Sequence, residues 1–442
     1  MSQHQRFSYR NRDELEEDIH KLGLNIPLST DYAILGEHLQ LDNRLCIPNR
    51  FCVQPMEGFD ADDEGRPGEL AFRRYQRYAR GGSGLIWFEA TSVVPEGRSN
   101  PGQFYLHPGS VDTFAELVRV CRQTAEEEYG RRPVLILQLT HSGRYSKPAG
   151  TPEPIIAHHS PILDPGQNLS DDYPLVTDDY LDELQERFVE AAKLAAAAGF
   201  DGVDIKSCHR YLLNELHASF TRTGKYGGSF QNRTRFICET TQRINNEIPQ
   251  MLVTTRMNVF DAIPYPYGFG VSAEDADQPD LTEPLALIDA LRGISGMPLM
   301  NISMGNPYYN PHIGRPFDLP ADNGAVPDEH PLEGIARFQQ LTSRIQNAFP
   351  DIAMIGSAYA WLRQFMPEVA AGMLHEGAAA LIGQGRGAFA YPDSPRDIFE
   401  HGEMAPRKCC ITCSACTQLM REGRKTGCVV RDREIYGAKH RS

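Results

Sequence analysis

The sequence predicts an α/β protein folded as a TIM (β/α)8 barrel, with a cysteine-rich C-terminal extension that binds a metal cluster. Two observations support this fold class: eight apolar segments alternate with helical segments, and five of the ten cysteines lie between positions 409 and 428. The apolar segments are continuous, which is typical of parallel strands covered on both faces. A doubly wound open sheet is the alternative, but no G-x-G-x-x-G motif follows a predicted strand.

The predicted strands and helices alternate along the chain. Strands are predicted at residues 50–56, 84–90, 134–140, 202–206, 252–257, 299–303, 352–355 and 379–383. Helices are predicted at residues 13–22, 68–80, 111–129, 180–198, 229–246, 285–295, 335–348, 368–376 and 395–401. Ser229 is a favourable N-cap and Gly199 is typical of a helix C-terminus. Eight such units fit a TIM barrel with long βα loops.

Three regions are predicted: residues 1–45 as a polar lead-in that packs on the barrel, 46–403 as the barrel, and 404–442 as the cluster-binding extension. The net charge of −14 argues against non-specific binding to nucleic acid or to anionic membranes. The sequence has no apolar stretch long enough to span a membrane, and its charged N-terminus does not resemble a secretory signal. The other cysteines are scattered singly, as in a reducing compartment, so we expect a cytoplasmic protein. The sequence leaves the oligomeric state open.

The cysteine-rich stretch is the strongest local signal. Cys410, Cys413, Cys416 and Cys428 follow the spacing C-x2-C-x2-C-x11-C. Four thiolates in this pattern suit a cubane [4Fe–4S] cluster, in which each iron binds one thiolate. Structural zinc more often uses two separated C-x2-C pairs, so zinc is one alternative, and free or disulfide-bonded thiols are another. Cys409 could compete with Cys410 as a ligand, although the spacing from Cys410 is more regular.

Glycine-rich segments follow the last two predicted strands. Gly356-Ser357 follows the seventh strand and Gly385-Arg386 follows the eighth. Barrels commonly bind a phosphate on backbone N–H groups at these two positions. Arg386 would add a charged clamp on the same phosphate. The alternative interpretation of both segments is ordinary glycine turns.

A further set of segments occurs in a fixed order. They are Asn49-Arg50, Pro55-Met56, ARGGSGLI at 79–86, Gln138-Leu139-x-His141-x-Gly143-Arg144, GFDGVDI at 199–205, Tyr211-Leu212, Tyr226-Gly227-Gly228-Ser229, Arg256 and Gly385-Arg386. In this order they resemble the Old Yellow Enzyme family of NADH:flavin oxidoreductases. Together with the cysteines, they resemble its iron–sulfur branch, represented by 2,4-dienoyl-CoA reductase and trimethylamine dehydrogenase.

The resemblance implies FMN at the mouth of the barrel. Gln138 would hydrogen-bond the pyrimidine edge of the flavin, and Arg256 would lie beside N1 and O2, where a guanidinium stabilises the reduced flavin. Pro55 and Met56 would pack against the ring. Glu57 takes the place of a small polar residue that bonds flavin O4 in the family. The phosphate would be held by Gly356, Ser357, Gly385 and Arg386.

The resemblance also implies a substrate-binding group on the fourth strand, where family members carry a His or Asn pair followed by a Tyr. Here His209 and Tyr211 match, and Lys206 replaces the first residue of the pair. We expect His209, with Lys206, to polarise a substrate carbonyl or bind its carboxylate. Hydride would pass from flavin N5 to the β-carbon, and Tyr211 would protonate the α-carbon. Lys206 could equally form a buried ion pair with Glu57 or Asp204.

The expected activity is reduction of an activated C=C bond in a small unsaturated carbonyl compound, with FMN and a [4Fe–4S] cluster as cofactors. Tyr308 and Tyr309, on the loop after the sixth strand, would wall the substrate pocket. A second interpretation is oxidation of an amine or alicyclic substrate, with electrons leaving through the cluster. A third, non-enzymatic one is a zinc-stabilised barrel that serves as a binding module.

The source of electrons follows from the same resemblance. Long members of the iron–sulfur branch continue into FAD- and NAD(P)-binding domains, whereas this sequence ends fourteen residues after Cys428. We therefore expect electrons either from NAD(P)H directly or from a separate electron-transfer protein or reductase subunit.

Overall fold

Strands and helices alternate in the computed structural model of the protein, which describes residues 3–321 and 324–437. The strands are β1 (Leu39–Gln40), β2 (Cys46–Ile47), β3 (Phe51–Val53), β4 (Leu85–Ser92), β5 (Val134–Thr140), β6 (Gly202–Ile205), β7 (Leu252–Thr254), β8 (Arg256–Asn258), β9 (Leu299–Ser303), β10 (Ala353–Gly356) and β11 (Leu381–Gln384). The α-helices are α1 (Arg12–Lys21), α2 (Glu69–Arg80), α3 (Val111–Tyr129), α4 (Asp178–Ala197), α5 (Leu212–His217), α6 (Phe230–Glu247), α7 (Thr282–Ser295), α8 (Pro311–Gly314), α9 (Pro331–Ala348), α10 (Met366–His375), α11 (Arg386–Ala390), α12 (Ser394–His401), α13 (Ala415–Arg421) and α14 (Arg433–Tyr436). None of the helices in these described ranges combines the length and apolarity needed to cross a bilayer.

Nine strands, β3 to β11, form one parallel sheet in the order β7-β6-β5-β4-β3-β11-β10-β9-β8. The ends of this order, β7 and β8, are the two halves of a single predicted strand, separated only by Thr255. The Thr255 hydroxyl donates to the carbonyl of Ile205 at 2.8 Å, and the Thr255 carbonyl accepts the N–H of Asn301 at 3.0 Å. The sheet therefore closes on itself, and the predicted TIM barrel is confirmed.

Most predicted boundaries agree with the structure. The strands at 134–140 and 299–303 and the helix at 111–129 have the predicted bounds. Ser229 is the N-cap of α6, where its hydroxyl accepts the N–H of Asn232 at 3.3 Å. Gly199 adopts a left-handed φ of +91° just after α4. The sequence does not predict α5, α8, α11, α13 and α14, because helices of four to seven residues are too short to show apolar periodicity.

The N-terminal segment packs on the last helices of the barrel. Leu15 and Ile19 of α1 and Leu35 share an apolar cluster with Trp361 and with Val369 of α10. This packing buries the outer face of α10 and holds α1 against the barrel by apolar contact.

The C-terminal segment is attached beside the carboxyl ends of the strands. Asp432 accepts hydrogen bonds from Arg73 at 2.6 and 2.9 Å and from Arg77 at 2.7 Å, and both arginines lie on α2. The N–H of Thr426 donates to the carbonyl of Gly58 at 2.7 Å, on the loop after β3. These contacts place the cysteine-rich stretch at the end of the barrel where active sites form.

The barrel interior is polar at this end. The side-chain amides of Gln54 and Asn301 exchange two hydrogen bonds, at 2.7 and 3.1 Å, and Gln54 also donates to the hydroxyl of Ser357 at 2.7 Å. Gly383 makes room for Gln54. A Cβ at position 383 would overlap the Gln54 amide nitrogen and would lie 2.7 Å from the carbonyl oxygen of Gly356.

Gly383→Ala is expected to destabilise the barrel by roughly 1–3 kcal/mol, because the added methyl group overpacks a buried position. The free energy of unfolding from urea titration measures this change. Gly293→Ala is the control, since Gly293 is exposed in α7 and an added Cβ would meet no heavy atom within 4 Å. That substitution should stabilise the protein by about 0.5–1 kcal/mol. Equal effects at the two positions would contradict the packing argument.

Candidate active site

A cavity of about 760 Å³ lies at the carboxyl ends of the barrel strands, within the size range of cofactor pockets. Loops that follow seven of the eight barrel strands contribute to its wall, together with Arg256 of the fifth strand and residues 417–425. Eleven of the twelve residues predicted to bind cofactor or substrate line it: Pro55, Met56, Glu57, Gln138, Lys206, His209, Tyr211, Arg256, Ser357, Gly385 and Arg386. The twelfth, Gly356, is the last residue of β10, directly before Ser357.

Asp204 bonds two of these residues from inside the barrel, Gln138 through its side chain and Arg256 through its backbone. Its carboxylate accepts hydrogen bonds from Gln138 Nε2 at 2.5 Å, from the indole N–H of Trp87 at 2.8 Å and from the backbone N–H of Arg256 at 2.7 Å. Burial raises the pKa of Asp204 to about 6, and these donors oppose the rise because they favour the carboxylate. Gln138 is thereby held in place, with its amide oxygen left as an acceptor.

The guanidinium of Arg256 makes no salt bridge within the part of the chain that the structure describes. Its Nε is buried and has no hydrogen-bond partner there. A buried guanidinium with an unused N–H needs an anionic or electron-rich acceptor. This part of the cavity therefore fits the N1/O2 side of a flavin.

Lys206 lies over the ring of Tyr211, with Nζ 3.7 Å from the ring centroid. It forms no ion pair within 4.0 Å across the described residues, so the pairs with Glu57 or Asp204 that the sequence left open are not formed. Asp204 is instead satisfied by uncharged donors. Burial lowers the pKa of Lys206, and the charge of Glu57 opposes this from a longer distance.

His209 contributes a neutral imidazole to the cavity. Burial, followed by the positive charges of Arg256 and Lys206, lowers the pKa of His209 well below its usual value. Its Nε2 lies 3.2 Å from Ser303 Oγ. The backbone of His209 has a φ of +65°, a left-handed turn that is strained for a non-glycine residue. This turn follows β6 and brings both His209 and Tyr211 to the cavity.

Tyr211 is buried, and its hydroxyl lies between Glu57 and Tyr308. The distances are 3.4 and 3.5 Å to the two carboxylate oxygens and 3.5 Å to the Tyr308 hydroxyl. Gln103 donates to Glu57 at 2.8 Å, so Glu57, which the sequence predicts beside flavin O4, contacts Tyr211 and Gln103. Burial raises the pKa of Glu57 against the opposing charge of Lys206. Burial and the charge of Glu57 raise the pKa of Tyr211 well above its usual value, so the phenol stays protonated at neutral pH.

Aromatic rings form another part of the wall. Tyr145 stacks on Tyr308 with ring centroids 3.8 Å apart, and the Asn306 amide donates to the Tyr145 hydroxyl at 2.8 Å. Tyr308 lines the cavity as predicted, whereas Tyr309 is 48% exposed and does not line it. The reason is local: the loop after β9 turns at Tyr308, so that only the first ring of the pair faces inward.

The ends of β10 and β11 bring together groups that suit a phosphate. The N–H groups of Ser357 and Ala358 donate to no acceptor among the described residues, and Ala358 has a left-handed φ of +72°. Arg386 donates to the carbonyl of Pro316, while its Nη1 and the Nη2 of Arg315 are buried without partners in the same described ranges. Unused backbone N–H groups and guanidinium groups are the usual ligands of a phosphate.

The four predicted cluster ligands lie close to one another and to Arg386. Burial raises the pKa of Cys410 to about 12; Arg386 opposes this rise, and Cys416 and Cys428 add to it. Burial likewise raises the pKa of Cys428, with smaller contributions from Cys416 and Cys413. Each of these thiols is therefore near enough to others of the group for their charges to interact.

Cys409 is separated from this group. Its thiol donates to the carbonyl of Ala405 at 3.5 Å, inside an apolar cluster with Tyr391 and Met404. This placement favours Cys410 over Cys409 as a ligand. No three His, Cys, Asp or Glu side chains in residues 3–321 and 324–437 surround a single metal-ion position. Each thiolate of a cubane cluster binds a different iron, whereas a structural zinc site gathers its ligands around one ion.

Several cavity residues were outside the reach of the sequence analysis. Tyr145 directly follows Gly143-Arg144, the end of a motif that resembles the family. Its place next to that motif could have identified it as a cavity residue. Arg315 lines the cavity, and Gln103 reaches it only through its hydrogen bond to Glu57. Both lie in long βα loops without periodicity or motif, so only the folded chain brings them to these positions.

Three solved structures with similar folds are a reductase, a dehydrogenase and an old yellow enzyme homologue by name. A 2-naphthoyl-CoA reductase in complex with 2-naphthoyl-CoA has a TM-score of 0.71 and 20% identity, covering 92% of this chain and 58% of its own. Histamine dehydrogenase from Rhizobium sp. 4-9 has a TM-score of 0.66 and 19% identity, covering 90% and 52%. An old yellow enzyme homologue from Zymomonas mobilis has a TM-score of 0.63 and 18% identity, covering 90% and 98%. At these identities the comparison supports the fold.

Sequence relatives agree with the fold. The NADH oxidase of Thermoanaerobacter brockii is 27% identical over 380 residues, which are 84% of this chain and 51% of the relative. The NADPH dehydrogenase of Clostridium acetobutylicum is 29% identical over 210 residues, which are 47% of this chain and 58% of the relative. The chain thus spans little more than half the length of these relatives.

The sequence profile of one family covers about half of the residues that line the cavity. The profile of the NADH:flavin oxidoreductase / NADH oxidase family matches residues 37–269, more than half of the 442 residues. The matched region contains Gln138, Lys206, His209, Tyr211 and Arg256. The chain therefore belongs to the NADH:flavin oxidoreductase / NADH oxidase family.

Proposed function

We propose that the chain is an FMN-dependent oxidoreductase that takes electrons from NAD(P)H and reduces an activated C=C bond of a small unsaturated carbonyl compound. One observation carries this proposal: a protonated phenol, Tyr211, and a neutral imidazole, His209, line the same cavity as Gln138 and Arg256. The family and its named relatives support FMN and a nicotinamide donor. A proton donor in the pocket of a hydride-carrying cofactor suits addition of hydrogen across a double bond.

FMN bound in this cavity would supply hydride from N5. Gln138, fixed by Asp204, would hydrogen-bond the pyrimidine edge, and Arg256 would donate to the N1/O2 side. Pro55 and Met56 would pack against the ring. The phosphate would be bound at the ends of β10 and β11 by Gly356, Ser357, Gly385 and Arg386.

The substrate carbonyl would be held by His209 and Lys206. A neutral imidazole can donate one hydrogen bond, and the ammonium group adds positive charge. Both would stabilise the negative charge that develops on the carbonyl oxygen when hydride reaches the β-carbon. Tyr211 would then protonate the α-carbon, since its environment keeps the phenol O–H intact at neutral pH.

The charges in the cavity favour reduction of a carbonyl compound over oxidation of an amine. Lys206, Arg256, Arg315 and Arg386 all line the cavity. These cations would repel a protonated amine. The face of the Tyr211 ring, which could otherwise bind a cation, already lies under Lys206. A carbonyl compound, whose oxygen gains negative charge as hydride arrives, is the better match for this positive field.

We further propose that Cys410, Cys413, Cys416 and Cys428 hold a [4Fe–4S] cluster, which would supply one-electron transfer when bound. Arg386 supports a site next to the flavin, because it lines the cavity and also acts on the cysteines. Electrons would enter from NAD(P)H at the cavity or from a separate electron-transfer protein.

Anaerobic incubation of the FMN-loaded protein with NADH or NADPH and 2-cyclohexen-1-one tests the proposed function. We expect the saturated ketone, with one nicotinamide oxidised per product. An enzyme that consumes neither nicotinamide nor enone would contradict the proposal. Reduction of the flavin by an amine, in place of the nicotinamide, would favour the dehydrogenase interpretation.

Tyr211→Phe should slow enone reduction on the order of 10²-fold or more, because the proton donor is lost. Flavin reduction by NAD(P)H should persist, since that step does not use the phenol. Stopped-flow absorbance measures the two half-reactions separately. Tyr309→Phe is the matched control, because Tyr309 lies outside the cavity lining. An unchanged rate of enone reduction in Tyr211→Phe would refute the role.

Arg256→Gln should lower the reduction potential of the bound flavin, because a positive charge beside N1/O2 is lost. A change of roughly 30 mV in a two-electron couple corresponds to about 1.4 kcal/mol, and we expect at least this much. Anaerobic redox titration measures it. Arg119→Gln, at an exposed position on α3 paired with Glu116, should leave the potential unchanged. Equal potentials in both variants would rule out the flavin contact.

Cys410→Ser should abolish bound iron and acid-labile sulfide, whereas Cys409→Ser should retain both. The physical reason is that the Cys409 sulfur packs in an apolar cluster away from the other four. Iron and sulfide assays on anaerobically purified protein measure this, with about four of each expected per chain. Stoichiometric zinc in colourless protein would support the zinc-stabilised binding module instead.

A further inference from the structure

Glu57 is a buried carboxyl group in contact with the hydroxyl of Tyr211. The two oxygens lie 3.4 and 3.5 Å from that hydroxyl, and Gln103 donates to one of them at 2.8 Å. The residue is 7% exposed. Lys206 acts on it from beyond salt-bridge distance, and no closer cation is present in the described ranges. A buried carboxyl group without a salt bridge is held more easily as the neutral acid.

A second buried network fixes the loop that carries Glu57. The N–H of Gly58 donates to Glu89 at 2.6 Å, and Arg74 donates to both Glu89 and Asp60 at 2.5 Å. A Cβ at position 58 would overlap the Arg74 guanidinium, so the loop packs directly on α2. The backbone next to Glu57 is therefore fixed in the cavity wall, and the Glu57 side chain is held there by Gln103 and Tyr211.

Tyr211 is a poor proton donor on its own. Burial and the charge of an ionised Glu57 both disfavour its phenolate. If Glu57 were ionised, proton loss from Tyr211 would leave two negative charges with oxygens only 3.4 Å apart in a buried site. If Glu57 carries a proton, that proton can replace the one that Tyr211 gives away.

We propose that Glu57 holds a proton and passes it to Tyr211 as Tyr211 protonates the substrate. This inference rests on the proposed reduction of a C=C bond. The Tyr211 O–H bond breaks as the C–H bond at the α-carbon forms, and the Glu57 O–H bond breaks as the Tyr211 O–H bond forms again. Hydride at the β-carbon supplies both electrons. The step leaves a Glu57 carboxylate, which solvent protonates before the next turnover.

Lys206 is placed to stabilise that carboxylate. Its Nζ lies 3.7 Å from the centroid of the Tyr211 ring, and its charge opposes the effect of burial on the pKa of Glu57. Burial thus favours the acid before transfer, and Lys206 favours the carboxylate after it. The other titratable groups that sense Glu57 are Tyr308 and Cys208. Burial raises the pKa of both above neutral, so neither competes for the proton.

Infrared difference spectroscopy of the FMN-loaded protein tests the proton on Glu57 without turnover. At neutral pH we expect a carboxylic acid C=O band that Glu57→Gln removes and Tyr211→Phe shifts, since the phenol contacts this carboxyl group. The band should disappear as pH rises, because the acid form is lost above its pKa. If Glu57→Gln removes no acid band at neutral pH, the inference is overturned regardless of activity.

A single-turnover reaction of chemically reduced protein with 2-cyclohexen-1-one tests the transfer itself. Glu57→Gln should slow it by roughly 10-fold or more and should abolish the loss of rate on the alkaline side of the pH profile. Adding Glu57→Gln to Tyr211→Phe should cause no further loss, because both act on one proton. Tyr308→Phe is the control: it removes a hydroxyl 3.5 Å from Tyr211 but no carboxyl proton, so the alkaline loss should remain.

The outcomes distinguish this inference from the proposed function. A wild-type rate and pH profile in Glu57→Gln, with the enone still reduced, would overturn the proton transfer and leave C=C reduction standing. An enone that the wild-type protein does not reduce would count against C=C reduction. The infrared band would then decide alone whether Glu57 holds the proton beside Tyr211.

Discussion

The carboxylate of Asp204, buried inside the barrel, accepts hydrogen bonds from Trp87 on β4, Gln138 on β5 and the first residue of β8, Arg256. A negative charge at this depth would be strongly unfavourable without hydrogen-bond donors. The three donors come from three different strands, so the carboxylate is satisfied only when those strands are in register. Two of these donors belong to the residues proposed to hold the flavin edge. One interaction therefore both completes the polar interior and fixes the groups that face the cofactor.

Because uncharged donors satisfy Asp204, Lys206 forms no ion pair with it and remains available to the cavity. Residues 204 and 206 fall on the same face by strand alternation, yet the carboxylate lies deeper and is already bonded. Burial, with smaller contributions from Arg256 and Lys206, lowers the pKa of His209 well below its usual value. One compensated charge, that of Asp204, thus lies beneath the cavity, and two basic side chains, Lys206 and Arg256, lie in the cavity beside His209. This positive field suits a carbonyl oxygen that gains negative charge, and it also lets Glu57 give up a proton that burial alone would retain.

The pattern of apolar runs was enough to predict the barrel, since each strand is covered on both faces and leaves a continuous signal at positions such as 134–140. The same pattern could not show that the fifth strand divides at Thr255, because the interruption depends on hydrogen bonds to β6 and β9. Among the residues of the site, those that directly follow a strand could be predicted to lie in the cavity, because the carboxyl ends of barrel strands converge. Gln103 and Arg315 could not, because their positions depend on long loops. The Glu57–Tyr211 contact joins residues 154 positions apart and has no local signal.

Two guanidinium groups connect the proposed cofactor sites. Arg315 and Arg386 both line the cavity, Arg315 donates to Ser414 at 3.4 Å, and both act on Cys416. Burial and the neighbouring charge of Arg386 lower the pKa of Arg315 to about 9, so the two cations are unfavourable for each other. A phosphate on the cavity side and cluster thiolates on the other would each supply the missing negative charge. The two proposed sites therefore share the same two buried cations.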